Sequence, residues 1–320
     1  AQTSTGVTST INVTAVNDKP VVTAGATLAY TEQAAAAAID ATITISDADD
    51  TQIAGATVTI TSPVAGDTLG FTAQNGITVA SNVGGVLTLT GTTTLANYQT
   101  ALRSVTFNST SDDPTVDNTR LTRTITWAVT DANSDAVGAQ TSTGVTSTIN
   151  VTAVNDAPVL ATGSVLAYTE NQAASAINAV ITTADVDNAT LASGTVSITA
   201  NFAASEDTLG FVNVPATMGN IAGVYNAGTG VMSLTSAGAT ATLAQWQAAL
   251  RAVTYANSSD APSVLARTVS YVVNDAAANS NTVTSTINLT AVNDAPVGTN
   301  KTVTTLEDTD YTFTAADFGF

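Results

Sequence analysis

The residues able to do chemistry in this sequence are acidic, and they are grouped. The chain of 320 residues holds 25 Asp and Glu against 7 Lys and Arg. Asp47 and Asp49 form a D-x-D in SDADD, and Asp185 and Asp187 form its equivalent in ADVDN. Asn17-Asp18, Asn155-Asp156 and Asn293-Asp294 each stand one residue ahead of a proline. Glu32, Glu170 and Glu307 follow those pairs by 13 or 14 residues. Asp131 and Asp275 close alternating segments shortly before the next Asn-Asp pair. Like charges gathered in this way repel one another unless a cation neutralises them. Oxygen donors without His or Cys select Ca²⁺ or Mg²⁺, and several carboxylates beside an Asn carbonyl favour Ca²⁺ with its six to eight relaxed contacts. No D-x-[DN]-x-[DN]-G-x₅-E loop is present, so the pattern is not an EF-hand. The competing reading is an acidic surface that keeps the protein soluble.

Composition excludes other chemistries. There is no Cys and no His, which removes disulfides, thiolate zinc sites and imidazole catalysis. A net charge of −18 argues against nucleic acid as a partner, since phosphate binding needs clustered Lys and Arg. No apolar run approaches the length of a membrane span. AQTSTGVTST has neither a basic nor an apolar region of a signal peptide, so any export signal is expected outside this segment. Paired carboxylates can hydrolyse glycosides, but Asp47/Asp49 and Asp185/Asp187 are duplicated rather than gathered in one cleft. No nucleophile elbow or phosphate-binding glycine loop is present. An enzyme is not expected.

The elements that must position these acids repeat. Residues 1–18 and 139–156 both read AQTSTGVTSTINVTAVND, and NTVTSTINLTAVND follows at 281–294. AYTE recurs at 29–32 and 167–170, DTLGF at 67–71 and 207–211, and TLANYQTALRSVTF at 94–107 returns as TLAQWQAALRAVTY at 242–255. The period is 138 residues, drifts to 148 between the copies and recovers. This predicts two repeats, 17–154 and 155–292, flanked by the last strand of a preceding repeat (1–16) and the start of a following one (293–320). The end segments could instead pair between molecules.

Within each repeat the pattern is that of strands. Val7, Ile11, Val13 and Ala15 alternate with Thr8, Thr10, Asn12 and Thr14. Ile125, Trp127 and Val129 alternate with Thr, as do Val269, Tyr271 and Val273 with their neighbours, and shorter strands are expected at Val58/Ile60 and Leu87/Leu89. One segment per repeat has helical spacing: Leu95, Tyr98 and Leu102 after Thr94, and Leu243, Trp246 and Leu250 after Thr242. These read as short N-capped helices crossing between sheets, with Tyr98 and Trp246 in the core. QAAAAA at 33–38 is ambiguous. The predicted fold class is all-β: tandem Ig/cadherin-like β-sandwich domains in an elongated array, each with one short helix.

The family resemblance rests on order and spacing. VNDAAANSNTVTSTINLTAVNDAPV at 273–297 is similar to the end of a cadherin repeat. The D-x-D about 30 residues after each linker and the single early Glu also match. The whole unit resembles the cadherin-like repeats of very large bacterial surface adhesins, and 293–320 resembles the opening of another. The resemblance implies calcium between consecutive domains. At 155–156 the ligands would be Glu32, Asn155, Asp156, Asp185, Asp187 and Asp275. At 17–18 they would be Asn17, Asp18, Asp47, Asp49 and Asp131, and at 293–294 Glu170, Asn293 and Asp294. The linker lacks one acid of the family's D-x-N-D-N, and the mid-domain D-R-E is absent. Asp67 and Asp207 are read either as substitutes for it or as turn residues. The expected function is a calcium-stiffened extracellular spacer of a bacterial surface adhesin, serving adhesion or biofilm formation. Its partners would be neighbouring repeats or like chains, with any host-surface or matrix ligand elsewhere in the full protein. The alternative is a filament subunit completed by strand addition.

Overall fold

The computed structural model describes residues 1–14, 16–134 and 137–319. Two compact units are present, Ala1–Asp156 and Ala157–Phe320. Unit 1 contains β1 (Val21–Thr23), β2 (Thr27–Thr31), β3 (Ala37–Ala38), β4 (Thr44–Ser46), β5 (Gln52–Thr61), β6 (Asp67–Gly70), β7 (Thr78–Val83), β8 (Val86–Thr94), α1 (Leu95–Arg103), β9 (Thr106–Ser109), β10 (Thr122–Asp131) and β11 (Val145–Thr152). A six-stranded sheet runs β2-β11-β10-β5-β8-β7, a three-stranded sheet β3-β9-β6, and β1 pairs with β4. The alternation on β10 sends Ile125, Trp127 and Val129 inward, all fully buried. Burying side chains of this size contributes about 1.5–3 kcal/mol each. The same face carries Arg123 at one end of the strand and Asp131 at the other, both buried. α1 takes the chain from the larger sheet to β9. Its Thr94 cap accepts from the Asn97 N–H at 3.3 Å, and it buries Tyr98, Ala101 and Leu102.

Unit 2 repeats the plan with β12 (Val159–Ala161), β13 (Val165–Thr169), β14 (Ser175–Ala176), β15 (Thr182–Ala184), β16 (Ser193–Ala200), β17 (Asp207–Gly210), α2 (Pro215–Met218), β18 (Ile221–Asn226), β19 (Val231–Ser236), α3 (Leu243–Arg251), β20 (Thr254–Asn257), β21 (Arg267–Asn274) and β22 (Val283–Thr290). Its six-stranded sheet is β13-β22-β21-β16-β19-β18, its three-stranded sheet β14-β20-β17, and β12 pairs with β15. In both units the second strand lies parallel to the last. Thr27 to Thr31 face Thr148 to Thr152, and Val165 to Thr169 face Thr286 to Thr290. The all-β, tandem-sandwich expectation is met.

Some expectations are corrected. Residues 1–14 and 16 form no strand, and Val7, Ile11 and Val13 are 96%, 86% and 88% exposed; Ala15 lies outside the described residues. The identical residues 145–152 form β11, hydrogen-bonded to β10 on one side and β2 on the other. Alternation is not sufficient for a strand; it needs neighbours to pair with. Unit 2 has more than one helix. The segment between DTLGF and the capped helix runs 72–93 in unit 1 and 212–241 in unit 2. The longer version folds as α2, with Pro215 in its first turn, and a 3₁₀ turn at Ala237–Ala239. A further short helix, α4 (Ala315–Phe318), lies in residues 293–319, which hold no strand among the described residues. β5 runs ten residues rather than a short stretch, and of QAAAAA only Ala37–Ala38 pair as β3.

Candidate metal centre

The acids of unit 1 collect at two opposite ends. β10 ends in Asp131, which lies in register with Ile53 at the start of β5. That register sets SDADD, just before β5, beside Asp131. Oxygen atoms of Asp47, Asp49 and Asp50 lie within 4.8 Å of one another. The linker folds onto this tip: Asn17 Nδ2 donates to Asp131 Oδ2 at 3.2 Å, and the Asp18 N–H donates to Asp49 Oδ2 at 3.0 Å. The backbone N–H groups of Asp49 and Asp50 both donate to Asp47 Oδ1, at 3.2 and 2.9 Å, curling the loop around one carboxylate. Five of the predicted residues, Asn17, Asp18, Asp47, Asp49 and Asp131, thus share one end of the unit.

Asp50 was not foreseen. It is 3% exposed, and its Oδ1 accepts from the N–H of Ser134 at 2.9 Å and from the Ser134 hydroxyl. Its Oδ2 is buried without a hydrogen-bond partner, as are Asp47 Oδ2 and Asn17 Oδ1. The only signal for Asp50 in the sequence is its place next to the D-x-D. Buried, unpartnered carboxylate oxygens cost folding free energy unless something compensates them. An oxygen-only donor set with such atoms fits a hard divalent cation, Ca²⁺ best among them. The carboxyl of Asp47 is pushed up from its ordinary range by burial and by the neighbouring Asp49, which a bound cation would reverse.

Unit 2 carries Asp185, Asp187 and Asp275 at the equivalent positions. The N–H groups of Asp187 and Asn188 donate to Asp185 Oδ1 at 3.2 and 3.0 Å. Burial, followed by the adjacent Asp187, pushes the Asp185 carboxyl up to about 6. Asp275, immediately after β21, accepts from the N–H groups of Ala277 and Ala278 at 2.6 Å. Asn188 occupies the place of Asp50, and its Nδ2 donates to Asp187 Oδ1 at 3.0 Å.

The opposite end of each unit carries the early Glu. Glu32 follows β2, and its Oε2 accepts from the Val154 N–H at 2.7 Å. Glu170 does the same with Val292 at 2.8 Å. Asn155 and Asp156 continue from β11 at this end of unit 1, with Asn155 exposed. Asn293 and Asp294 follow β22 in unit 2, both exposed.

Asp67 and Asp207 close the turns ahead of β6 and β17: their N–H groups donate to Val64 O at 3.0 Å and Ala203 O at 2.9 Å, and their Oδ2 atoms accept from the N–H groups of Val64 and Ala203. Each begins a strand and is buried against an arginine: Arg123 Nε lies 2.6 Å from Asp67 Oδ2, and Arg267 Nε 3.2 Å from Asp207 Oδ2. The sequence held the signal, because Arg recurs in RTITWAVTD and RTVSYVVND as Asp does in DTLGF.

No family model matches the chain, and no curated protein matches it. Similar solved structures include mouse cadherin-23 EC22-24, with 14% identity, a TM-score of 0.38 and coverage of 87% of this chain and 68% of that one. The extracellular cadherin domains 1-5 of protocadherin gamma B2 give 14% identity and a TM-score of 0.38, over 87% of this chain and 41% of that one. Human mucin-like protocadherin EC1-2 gives 12% and 0.37, over 85% and 98%. Among the described residues no helix is long and apolar enough to cross a membrane.

Proposed function

We propose that this chain is a calcium-stiffened extracellular spacer in a large adhesive surface protein, of the kind that bacterial adhesins and biofilm proteins use. The observation that carries the reading is the acidic tip of unit 1, where linker, D-x-D, Asp50 and Asp131 converge around buried oxygen atoms without partners. The same turn around one carboxylate in unit 2, where the Asp187 and Asn188 N–H groups donate to Asp185 Oδ1, supports the same role. Cations held jointly by successive repeats would restrain domain motion, which is otherwise the default in tandem chains. The residues proposed as ligands are Glu32, Asn155 and Asp156 in unit 1 and Asp185, Asp187 and Asp275 in unit 2. The test is a thermal melt of the 320-residue chain in EDTA and across a calcium titration, with magnesium as control. A large calcium-specific rise in melting temperature is expected, because a ligand that binds only the folded state stabilises it. Asp187→Ala and Asp156→Ala should remove part of that rise. No shift in the unaltered chain would reduce the acids to surface charge.

A second reading is favoured by one observation. Residues 1–14 carry exposed alternating apolar side chains in a sequence that elsewhere fills a sheet as β11. Strand addition between chains would build a filament. Sedimentation at rising concentration separates the two: a monomer throughout supports the spacer, and concentration-dependent fibres support assembly.

A further inference from the structure

We propose that each unit is built to resist tension along its own chain, and that in unit 1 the Asp40 carboxylate locks together the two strands that tension would pull apart. The use of this property rests on the spacer reading, but its measurement does not.

The argument begins with strand direction. β2 and β11 are parallel and in register over five residue pairs. Tension enters through β1, held to β4 by three residue pairs, and passes to β2 at its N-terminal side, while β11 is loaded from its C-terminal side, so β2 and β11 are driven in opposite directions along a shared axis. Sliding a parallel pair loads its evenly spaced hydrogen bonds together, whereas unzipping a hairpin breaks them in turn. Both ends of the pair are extended by further ties. The Thr148 N–H donates to Ala26 O at 3.0 Å, the Glu32 N–H to Thr152 O at 2.9 Å, and the Val154 N–H to Glu32 Oε2 at 2.7 Å.

Asp40 adds a bond between the same two segments through its side chain. It is 1% exposed. Its Oδ2 accepts from the N–H groups of Gly25 and Ala26, each at 3.0 Å, just ahead of β2. The same oxygen accepts from the Ser147 hydroxyl, inside β11, at 2.6 Å. Its Oδ1 is held by the Thr42 N–H at 2.8 Å and the Thr42 hydroxyl at 2.6 Å, so the carboxylate cannot swing away. Ser147 is itself fixed by Trp127, whose Nε1 donates to Ser147 Oγ at 2.9 Å.

Unit 2 makes the same joint without charge. Asn178 Nδ2 donates to Thr162 O at 2.9 Å and to Ser285 Oγ at 3.1 Å, joining the residues before β13 to β22. Ser164 adds two neutral bonds to Ser285 Oγ, from its N–H at 3.2 Å and its Oγ at 3.3 Å. Hydrogen bonds to an ionised group are about twice as strong as neutral ones, so bond for bond the lock of unit 1 is the stronger.

The experiment is single-molecule pulling on the full 320-residue chain by its ends, in EDTA and in calcium, with each unit giving one unfolding event. Asp40→Ala should move one event only, raising its unfolding rate at fixed load by roughly tenfold or more. Ser147→Ala should move the same event less, and Asn178→Ala should move the other. If Asp40→Ala fails to fold, Asp40→Asn and Ser147→Ala carry the test. Leu87→Ala, in β8 and away from the loaded strands, should lower the denaturant midpoint with a much smaller change under load. The proposal is overturned if the Asp40 and Ser147 variants lower the denaturant midpoint while both force events stay as in the unaltered chain. It is equally overturned if Leu87→Ala weakens the unit under load as much as they do. The effect should persist in EDTA. A chain that ignores calcium would therefore sink the metal reading and leave the lock standing.

Discussion

In unit 2 the carboxylate of Asp207 accepts from four groups, and in unit 1 its counterpart Asp67 accepts from two. Asp207 Oδ1 takes the Tyr255 hydroxyl at 2.5 Å and Asn257 Nδ2 at 2.8 Å, while Oδ2 takes the Ala203 N–H at 2.8 Å and Arg267 Nε at 3.2 Å. Asp67 Oδ2 takes the Val64 N–H at 2.8 Å and Arg123 Nε at 2.6 Å, and Oδ1 is buried without a partner. The cause lies on the neighbouring strand. In register with Leu69 and Asp67, unit 1 has Phe107 and Ser109 where unit 2 has Tyr255 and Asn257. The arginines show the reverse. Arg123 donates to the carbonyls of Arg120 at 2.7 Å, Thr122 at 3.3 Å and Pro114 at 2.5 Å. Arg267 donates through Nη1 to the carbonyls of Ser263 and Leu265 but leaves Nη2 buried without a partner. The two copies hold the ion pair in common and differ in which partner keeps an unpartnered atom, Asp67 Oδ1 in unit 1 and Arg267 Nη2 in unit 2. In a buried pair the desolvation cost is shared with the surrounding donors, so the neighbours decide how much each partner can be missed.

The largest test of this comparison is to remove the cation. Arg123→Met should destabilise unit 1 by about 3–5 kcal/mol, the cost of stranding a buried charge. Arg267→Met should cost less, because three other donors remain on Asp207. Urea unfolding of each variant measures both, and equal losses would break the comparison. A smaller effect follows from the donors themselves. Tyr255→Phe should cost unit 2 about 1–3 kcal/mol by leaving Asp207 Oδ1 short of a donor. Phe107→Tyr should give unit 1 about 1 kcal/mol by supplying one. The added hydroxyl has a precedent in shape, since Phe107 meets Tyr30 edge-on at 5.0 Å as Tyr255 meets Tyr168.

A smaller contrast again separates the tips, and its sign depends on the metal. In EDTA, Asp50→Asn should stabilise unit 1 by relieving repulsion among three close carboxylates. In calcium it should destabilise the unit by removing a ligand charge, and Asn188→Asp should do the opposite in unit 2. Melting temperatures of the two variants with and without calcium check this. A shift of one sign in both conditions would remove Asp50 from the ligand set.

Much of the fold was legible because local signals agreed. The helix after Thr94 was announced by a cap and by apolar spacing, and the structure places it over Leu95–Arg103. Inward positions on β10 and β21 followed from strict alternation. The tip of unit 1 was legible in four acids and one Asn, because strand ends in register bring distant acids together. Residues 1–14 and 16 form no strand for a reason no local pattern reveals. The same letters make a strand at 145–152 only because β2 and β10 stand on either side. Asp50 was missed because burial, not spacing, gives it its role, and the Asp–Arg pairs because each joins motifs 56 or 60 residues apart in the chain. An acid one place beyond a D-x-D looks like surface charge until Ser134 is seen to hold it inside.

The smallest effect is a pH dependence that should run in opposite directions in the two units. Asp185 in unit 2 is raised to about 6 from 3.8, first by burial and then by Asp187. Between about pH 4 and pH 6 the folded unit therefore holds more protons than the unfolded chain, and its stability should fall as pH rises through that window. Asp40 in unit 1 behaves differently. Burial alone would raise it, but bonds from Ser147, Thr42, Gly25 and Ala26 outweigh burial and hold it well below the usual carboxylate range. Its contribution is complete above about pH 4 and is lost as pH falls further; Asn178, in the same place in unit 2, does not titrate. The two units carry one tryptophan each, Trp127 and Trp246, both fully buried. Fluorescence of Trp246→Phe and Trp127→Phe variants in EDTA therefore reports unit 1 and unit 2 separately. Calcium should flatten the slope of unit 2, because a cation beside Asp185 favours its ionised form. It should leave the acid limb of unit 1 below pH 4 in place, since Asp40 joins the residues ahead of β2 to β11. A unit 2 whose stability in EDTA stays level from pH 4 to 6 would mean that burial does not hold Asp185 protonated there, and the argument for a cation at that tip would lose its electrostatic half.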